Sequence, residues 1–248
     1  MKLTIVGCGD AFNTNARGHT CFKLETPRAN AIIDFGGSAM LSWQKLNLST
    51  NDIDIVVISH LHGDHFGGLP FLLLECHFAS QRTKPLVLAG PPGFGDRLKL
   101  LMDALYAGHM NMNWNFPLKI HEFEVGVQTK LCGLDIVTTE VRHGSGAPAM
   151  AIRIADGERV FAFSGDTGWT DKLLQVADGA DLFLVECGSA PGRPVDTHID
   201  WPTLRQKAPH LRAKHKIVTH LTRGSEVLLP EMKATGFTVA QDGLVLTV

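Results

Sequence analysis

A chain of 248 residues with 44% hydrophobic content is long enough to bury a substantial core, and this composition excludes a disordered protein. Lys and Arg number 23 against 25 for Asp and Glu, a net charge of −2, so no chain-wide positive field gathers nucleic acid and any phosphate recognition has to be local. Five scattered cysteines without a CxxC pair, and an N-terminal apolar run too short for a signal segment, point to a cytoplasmic protein with reduced thiols and no membrane span.

In chain order, "KLTIVG" reads as a strand, followed by two more at "TCFKLET" and "NAIIDFG" joined by a turn over residues 27–30. Asp34 ends the third strand, and Gly36 and Gly37 release the chain into a short amphipathic helix, "SAMLSWQKLNL". "DIDIVVIS" is nearly all aliphatic, as a strand covered on both faces would be. Behind it "HLHGDH" packs three histidines and an aspartate into six positions. A helix is expected over "FGGLPFLLLECHFAS", then a strand at "PLVLAG", a Pro-Pro-Gly turn and a helix at "DRLKLLMDALYAG". "NMNWN" has no period and reads as a surface loop. Further strands are expected at "KIHEFE", "LDIVTTEVR", "AMAIRIA", "RVFAFSG" and "LFLVEC", helices at "TDKLLQVA" and "WPTLRQKAP", and a last strand at "KIVTHL". No Ser- or Pro-rich linker divides the chain, so residues 1–248 are read as one domain of two packed halves, sheet against sheet with helices outside.

His60 and His62 lie two positions apart in extended chain, so their imidazoles project to the same side and grip one ion. Gly63 is expected to permit a sharp bend that turns Asp64 and His65 elsewhere, toward a neighbouring second ion. More ligands stand after hydrophobic runs, where strand ends deliver side chains to a shared rim: His143 in "EVRHGSG", Asp166 in "FSGDTGW" and His220 in "VTHLTRG". The bland readings are a chance histidine cluster, which buried polar groups make costly, and for Asp166 a cap on the helix near Thr170. Asp34 is expected to orient the ligand-bearing loop by hydrogen bonding. His19, His77, His109, His121, His210 and His215 lack ligand spacing. Trp114, Phe116 and Trp169 suit either a substrate lip or the core, and Arg142 and Arg223 suit either a phosphate or a surface carboxylate.

The hexapeptide His60-Leu61-His62-Gly63-Asp64-His65 matches the HxHxDH signature, and with His143, Asp166 and His220 following in order the chain resembles the metallo-β-lactamase fold superfamily. "FSGDT", "LVECG" followed by "THIDWPTL", and "VTHLTRG" resemble the branch that holds ribonuclease Z and the cyclic-phosphate phosphodiesterase of phosphonate breakdown. The resemblance implies an α+β, four-layer αβ/βα sandwich with two mixed sheets face to face and helices outside. It implies one metal on His60, His62 and His143, a second on Asp64, His65 and His220, and Asp166 bridging them. His198 occupies the place of that branch's additional histidine and is assigned to the leaving group, with Glu186 fixing its tautomer. Zinc is expected from the histidine-rich set, although the carboxylates also admit manganese or iron.

Two departures narrow the substrate. Only "GSGAPAMAIRIADGERVFAFSG" separates His143 from Asp166, leaving no room for the tRNA-binding arm of the common bacterial ribonuclease Z. Cys8 and Cys21 stand alone where the phosphonate-pathway enzyme has a cysteine-rich zinc insert. The leading expectation is a phosphodiesterase acting on a small phosphodiester, cyclic ones included, with a homodimer implied by the resemblance to ribonuclease Z. The alternatives are a hydrolase of thioesters, lactones or β-lactams, or a metal-binding module without turnover.

Overall fold

The computed structural model of the protein describes residues 1–190 and 195–248. The strands form two seven-stranded mixed sheets. In the first, β1 (Lys2–Gly7), β2 (Cys21–Glu25) and β3 (Asn30–Ile33) are antiparallel, and β4 (Ile55–Val57), β5 (Leu86–Gly90) and β6 (Leu118–Glu122) continue in parallel. The second repeats the plan: β7 (Thr129–Leu131), β8 (Leu134–Gly144), β9 (Pro148–Ala155) and β10 (Val160–Phe163) antiparallel, then β11 (Leu182–Glu186), β12 (His215–Thr219) and β13 (Phe237–Val239) parallel. Finally β14 (Val245–Thr247) crosses back to pair with β1, Lys2 opposite Thr247.

Alternation along each strand explains the layers. In β4, Ile55 and Val57 enter the core between the sheets, while Val56 enters an outer core beneath α1 (Ala39–Lys45), α2 (Gly63–Phe66), α3 (Leu69–Leu74) and α4 (Phe94–Leu105). In β11, Leu182 and Leu184 face inward, and Phe183 and Val185 pack with α5 (Lys172–Ala177), α6 (Trp201–Lys207) and α7 (Leu229–Ala234). Each such buried aliphatic contributes about 1.5–3 kcal/mol. Between the sheets Phe22 meets Phe163 edge to face at 5.2 Å. The result is the expected α+β four-layer αβ/βα sandwich. No helix among the described residues is long and apolar enough to cross a membrane.

Several elements differ from expectation. The aliphatic stretch around β4 is strand only over Ile55–Val57, because residues 50–52 form a 3-10 turn and the Ser59 amide donates to the Asp34 carboxylate. The single helix expected over residues 66–80 is broken after α2, where the Gly68 amide turns out to the Phe35 carbonyl, and it finishes as a π turn at Glu75–Ala79. "KIVTHL" is not the last strand, since α7, β13 and β14 follow it, and β7 is a strand that no sequence pattern marks. These additional strands are three residues each, too short to carry a period.

Candidate metal centre

The hexapeptide follows β4 at the carboxyl rim of the first sheet. His60 and Leu61 connect the strand to α2, His62 stands at the N-cap of α2, and the amides of His65 and Phe66 donate to the His62 carbonyl. Gly63 does not supply the bend that the sequence suggests: its φ is not positive, and a Cβ there would meet nothing. The helical turn itself redirects Asp64 and His65. A strap after β3 fixes that turn, with the Phe35 and Gly37 amides donating to the carbonyls of His65 and Gly63. Gly36 is required in it, because a Cβ would stand 2.1 Å from the Asp64 carbonyl oxygen.

Asp34 anchors the arrangement. It is fully buried, in the left-handed region at φ 57°, and its carboxylate accepts from the Ser59 amide, the Ser59 hydroxyl and His65 Nδ1, each within 2.6–2.7 Å. Because the Ser59 hydroxyl donates to Asp34, it accepts from His60 Nδ1 at 3.1 Å. His60 and His65 thus both carry their protons on Nδ1, leaving the Nε2 lone pairs for the site.

The second sheet contributes singly. His143 lies within β8 rather than beyond it, and its Nδ1 donates to the Thr197 carbonyl at 2.9 Å, leaving Nε2 3.0 Å from His62 Nδ1. Asp166 follows β10 and puts Oδ2 3.2 Å from His65 Nε2, 3.3 Å from His220 Nε2 and 3.8 Å from His60 Nε2. It does not cap α5, whose N-cap is Asp171. His220 follows β12 and reaches Asp64 Oδ2 at 3.3 Å. All seven candidate ligands therefore meet, in two groups with mutually adjacent donor atoms: His60, His62 and His143; and Asp64, His65, Asp166 and His220.

A divalent cation fits this donor set. Nε2 of His60, Nε2 of His65 and Oδ1 of Asp166 are buried with no hydrogen-bond partner among the described residues, a costly arrangement unless coordinated. Protons answer the same charges in the metal-free chain. Burial disfavours the His65 imidazolium, yet the carboxylates of Asp166, Asp64 and Asp34 outweigh it and hold its pKa well above the ordinary range. Burial likewise opposes charge on His220, but Asp166 and a bond to Asp64 push it up to about 9. His60 is different: burial and the neighbouring His65 charge press its pKa well down, keeping it neutral. Burial raises the Asp166 carboxyl, but the charges of His220 and His65 hold it well below the usual range.

His198 lies in the segment before α6, with its side chain 21% exposed. Its Nδ1 donates to Glu186 Oε1 at 2.9 Å, and its ring stacks on His220 and meets His143 edge-on. Glu186, the fully buried last residue of β11, also accepts the Thr167 amide beside Asp166 and the Gly188 amide. Burial lowers the His198 pKa, and the hydrogen bond and charge of Glu186 more than reverse this, leaving it raised. Gly188 lets these groups converge, since a Cβ would stand 2.9 Å from both His198 Nδ1 and His220 Nδ1.

Ser59, Thr167, Gly188 and the Thr197 carbonyl escape the sequence reading: main-chain groups leave no residue signal, and serine, threonine and glycine are too common to single out. Phe116 is buried and Trp114 partly buried in the outer core of the first sheet, so neither is at a lip. Trp169 and Arg142 border a groove that reaches His198, and neither Arg142 nor Arg223 forms an ion pair among the described residues. His19 belongs to neither ligand group and accepts the Ser38 amide.

The chain is 27% identical over 243 residues to Rv1339 of Mycobacterium tuberculosis, an alignment covering 94% of this chain and 86% of that protein. Its structure is similar to the metallo-β-lactamase fold protein YhfI from Bacillus subtilis, with TM-score 0.78, 20% identity and coverage of 99% of this chain and 98% of the other. A diphosphatase from the PhnP family gives TM-score 0.78 at 17% identity, covering 100% of this chain and 97% of the other. The fold is therefore that of the metallo-β-lactamases. Residues 1–241 match the family described as anti-Pycsar protein Apyc1, and the chain belongs to that family.

Proposed function

We propose that the protein is a binuclear metal-dependent hydrolase that cleaves a small phosphodiester, cyclic diesters included. The observation that carries this reading is His198, a partly exposed imidazole held by a buried carboxylate at the border of both ligand groups. One ion would be held by His60, His62 and His143 and the other by Asp64, His65 and His220; the Asp166 carboxylate lies with the second group and comes within 3.8 Å of His60 Nε2 in the first. Zinc suits the histidines, and manganese or iron suits a set with carboxylates. Such ions, when bound, polarise phosphoryl oxygens and bring the pKa of water toward neutrality.

The chain's own contribution is at the leaving oxygen. As a water oxygen bonds to phosphorus, giving up a proton, and the P–O bond to the leaving group breaks, protonated His198 gives its proton to the departing alkoxide and becomes neutral, while its Nδ1–H stays bonded to Glu186. A raised His198 pKa favours this role. The cavity over the cluster measures about 430 Å³, in scale with a small substrate. Strands β9 and β10 fill the interval between His143 and Asp166, which favours a small diester over tRNA.

The test is a screen of metal-loaded protein against bis-p-nitrophenyl phosphate, a cyclic ribose phosphate, thioesters and nitrocefin, with Asp64→Ala as the inactive control. His198→Ala is expected to keep its metals and to lose roughly 10²-fold in kcat on the cyclic diester. The loss should be smaller for bis-p-nitrophenyl phosphate, because p-nitrophenolate departs without a proton. Turnover confined to thioesters or nitrocefin, or none on the whole panel, rejects the proposal.

A further inference from the structure

Phe12 is the most exposed large apolar side chain of the described residues, at 84%, and it lines the cavity over the histidine and aspartate cluster. Its segment is held in place. Asp10 is buried, and its carboxylate accepts the Phe12 amide, the Thr14 amide and the Thr14 hydroxyl. Asn13 adds bonds from its side chain to the Arg17 carbonyl and the Ser38 hydroxyl. An aromatic ring is thus presented to solvent on a fixed support, beside the site, with little of its apolar surface buried.

The remaining lining points the same way. Ala11, Ala190 and Val195, the last 49% exposed, share the cavity with Phe12, and none of its described lining residues is Lys or Arg. Apolar contact is what the described wall offers, and a flat ring stacks on an aromatic side chain with geometry that an alkyl group does not match.

We infer that Phe12 is a specificity-determining residue, whose ring packs against a planar apolar substituent of the phosphoester held at the cluster. This rests on the phosphodiesterase reading above. Calorimetric titration of zinc-loaded protein with phenylphosphonate and methylphosphonate tests it without requiring turnover. The wild type is expected to bind phenylphosphonate about tenfold more tightly, the scale of one aromatic stacking contact. Phe12→Ala and Phe12→Leu should erase most of that preference, and Phe12→Trp should keep it. Equal binding of both phosphonates by the wild type, or an undiminished preference in Phe12→Ala, overturns the inference while leaving the phosphodiesterase reading intact. No binding of either phosphonate removes the phosphoester site itself, and the inference with it. A dimer that dissociates in Phe12→Ala with its preference intact would assign the ring to an interface between copies instead.

Discussion

From the first sheet the site draws His60, His62, Asp64 and His65 within one turn of chain, whereas the second delivers His143, Asp166, Glu186 and His220 singly, from β8 and from the ends of β10, β11 and β12. The compact group is secured largely at one point, the buried Asp34 carboxylate, which orders Ser59, His60 and His65 together. The dispersed group is secured by bonds between its own loops: Thr197 to His143, and Glu186 to Thr167, Gly188 and His198. One half is thus positioned by a buried anion and the Phe35–Gly37 strap beside it, and the other by a network. The proton donor proposed for the reaction belongs to the network.

Asp166 joins the halves, and its loss should be the most damaging. Asp166→Ala removes the carboxylate that faces His60, His65 and His220 and leaves the charges of His65 and His220 without a common partner. Diester turnover is expected to fall roughly 10³-fold, the scale for losing a positioned electrostatic group, with metal content below two ions per chain by elemental analysis. Two retained ions and near-normal turnover would break the picture of a shared carboxylate.

Asp34→Asn tests the buried anion that supports the compact half. The amide fills the same space, but it is neutral and no longer holds the Nδ1–H of His65 with a full charge. Metal affinity is expected to fall about 10–100-fold, as for other groups that orient metal-ligating histidines. Chelator competition measures it. If His143→Ala loosened only one ion while Asp34→Asn left both tightly held, the support would lie elsewhere.

The same contrast governs what the sequence revealed. The compact ligands are legible because they are local, and the aliphatic run before them marks the strand that carries them. His143, Asp166 and His220 are legible only by their order and by the hydrophobic runs they follow. The contacts that aim them are set by tertiary approach: the Thr197 carbonyl has no side-chain signature, and Gly36 and Gly188 are defined by what a Cβ would strike. Strands β13 and β14 are not legible for a related reason, since each takes its identity from a neighbour, β12 or β1, rather than from a pattern of its own. Asp34 is legible as a support from its place at a strand end, but its link through Ser59 to His60 is set by tertiary contact.

Glu186→Gln probes the network with the smallest change. Glutamine keeps an acceptor near His198 Nδ1 and removes only the charge, so kcat should fall about tenfold, toward the lower end for a supporting carboxylate. The pH profile is the sharper readout. Burial alone lowers the His198 pKa, and Glu186 is the main reason that it is raised instead. A general acid works in its protonated form, so a raised pKa carries activity to higher pH, and activity is lost as pH rises through that value. Without the carboxylate charge the imidazolium deprotonates earlier, and the alkaline limb of kcat for an alkoxide-leaving diester moves toward acid. The acid limb should move less, because Glu186 hydrogen-bonds none of the seven candidate ligands, and its charge raises the neighbouring His220 less than Asp166 and Asp64 do. An alkaline limb that stays in place while kcat drops would make Glu186 a packing element of its loop and separate the proton donor from the network that holds it.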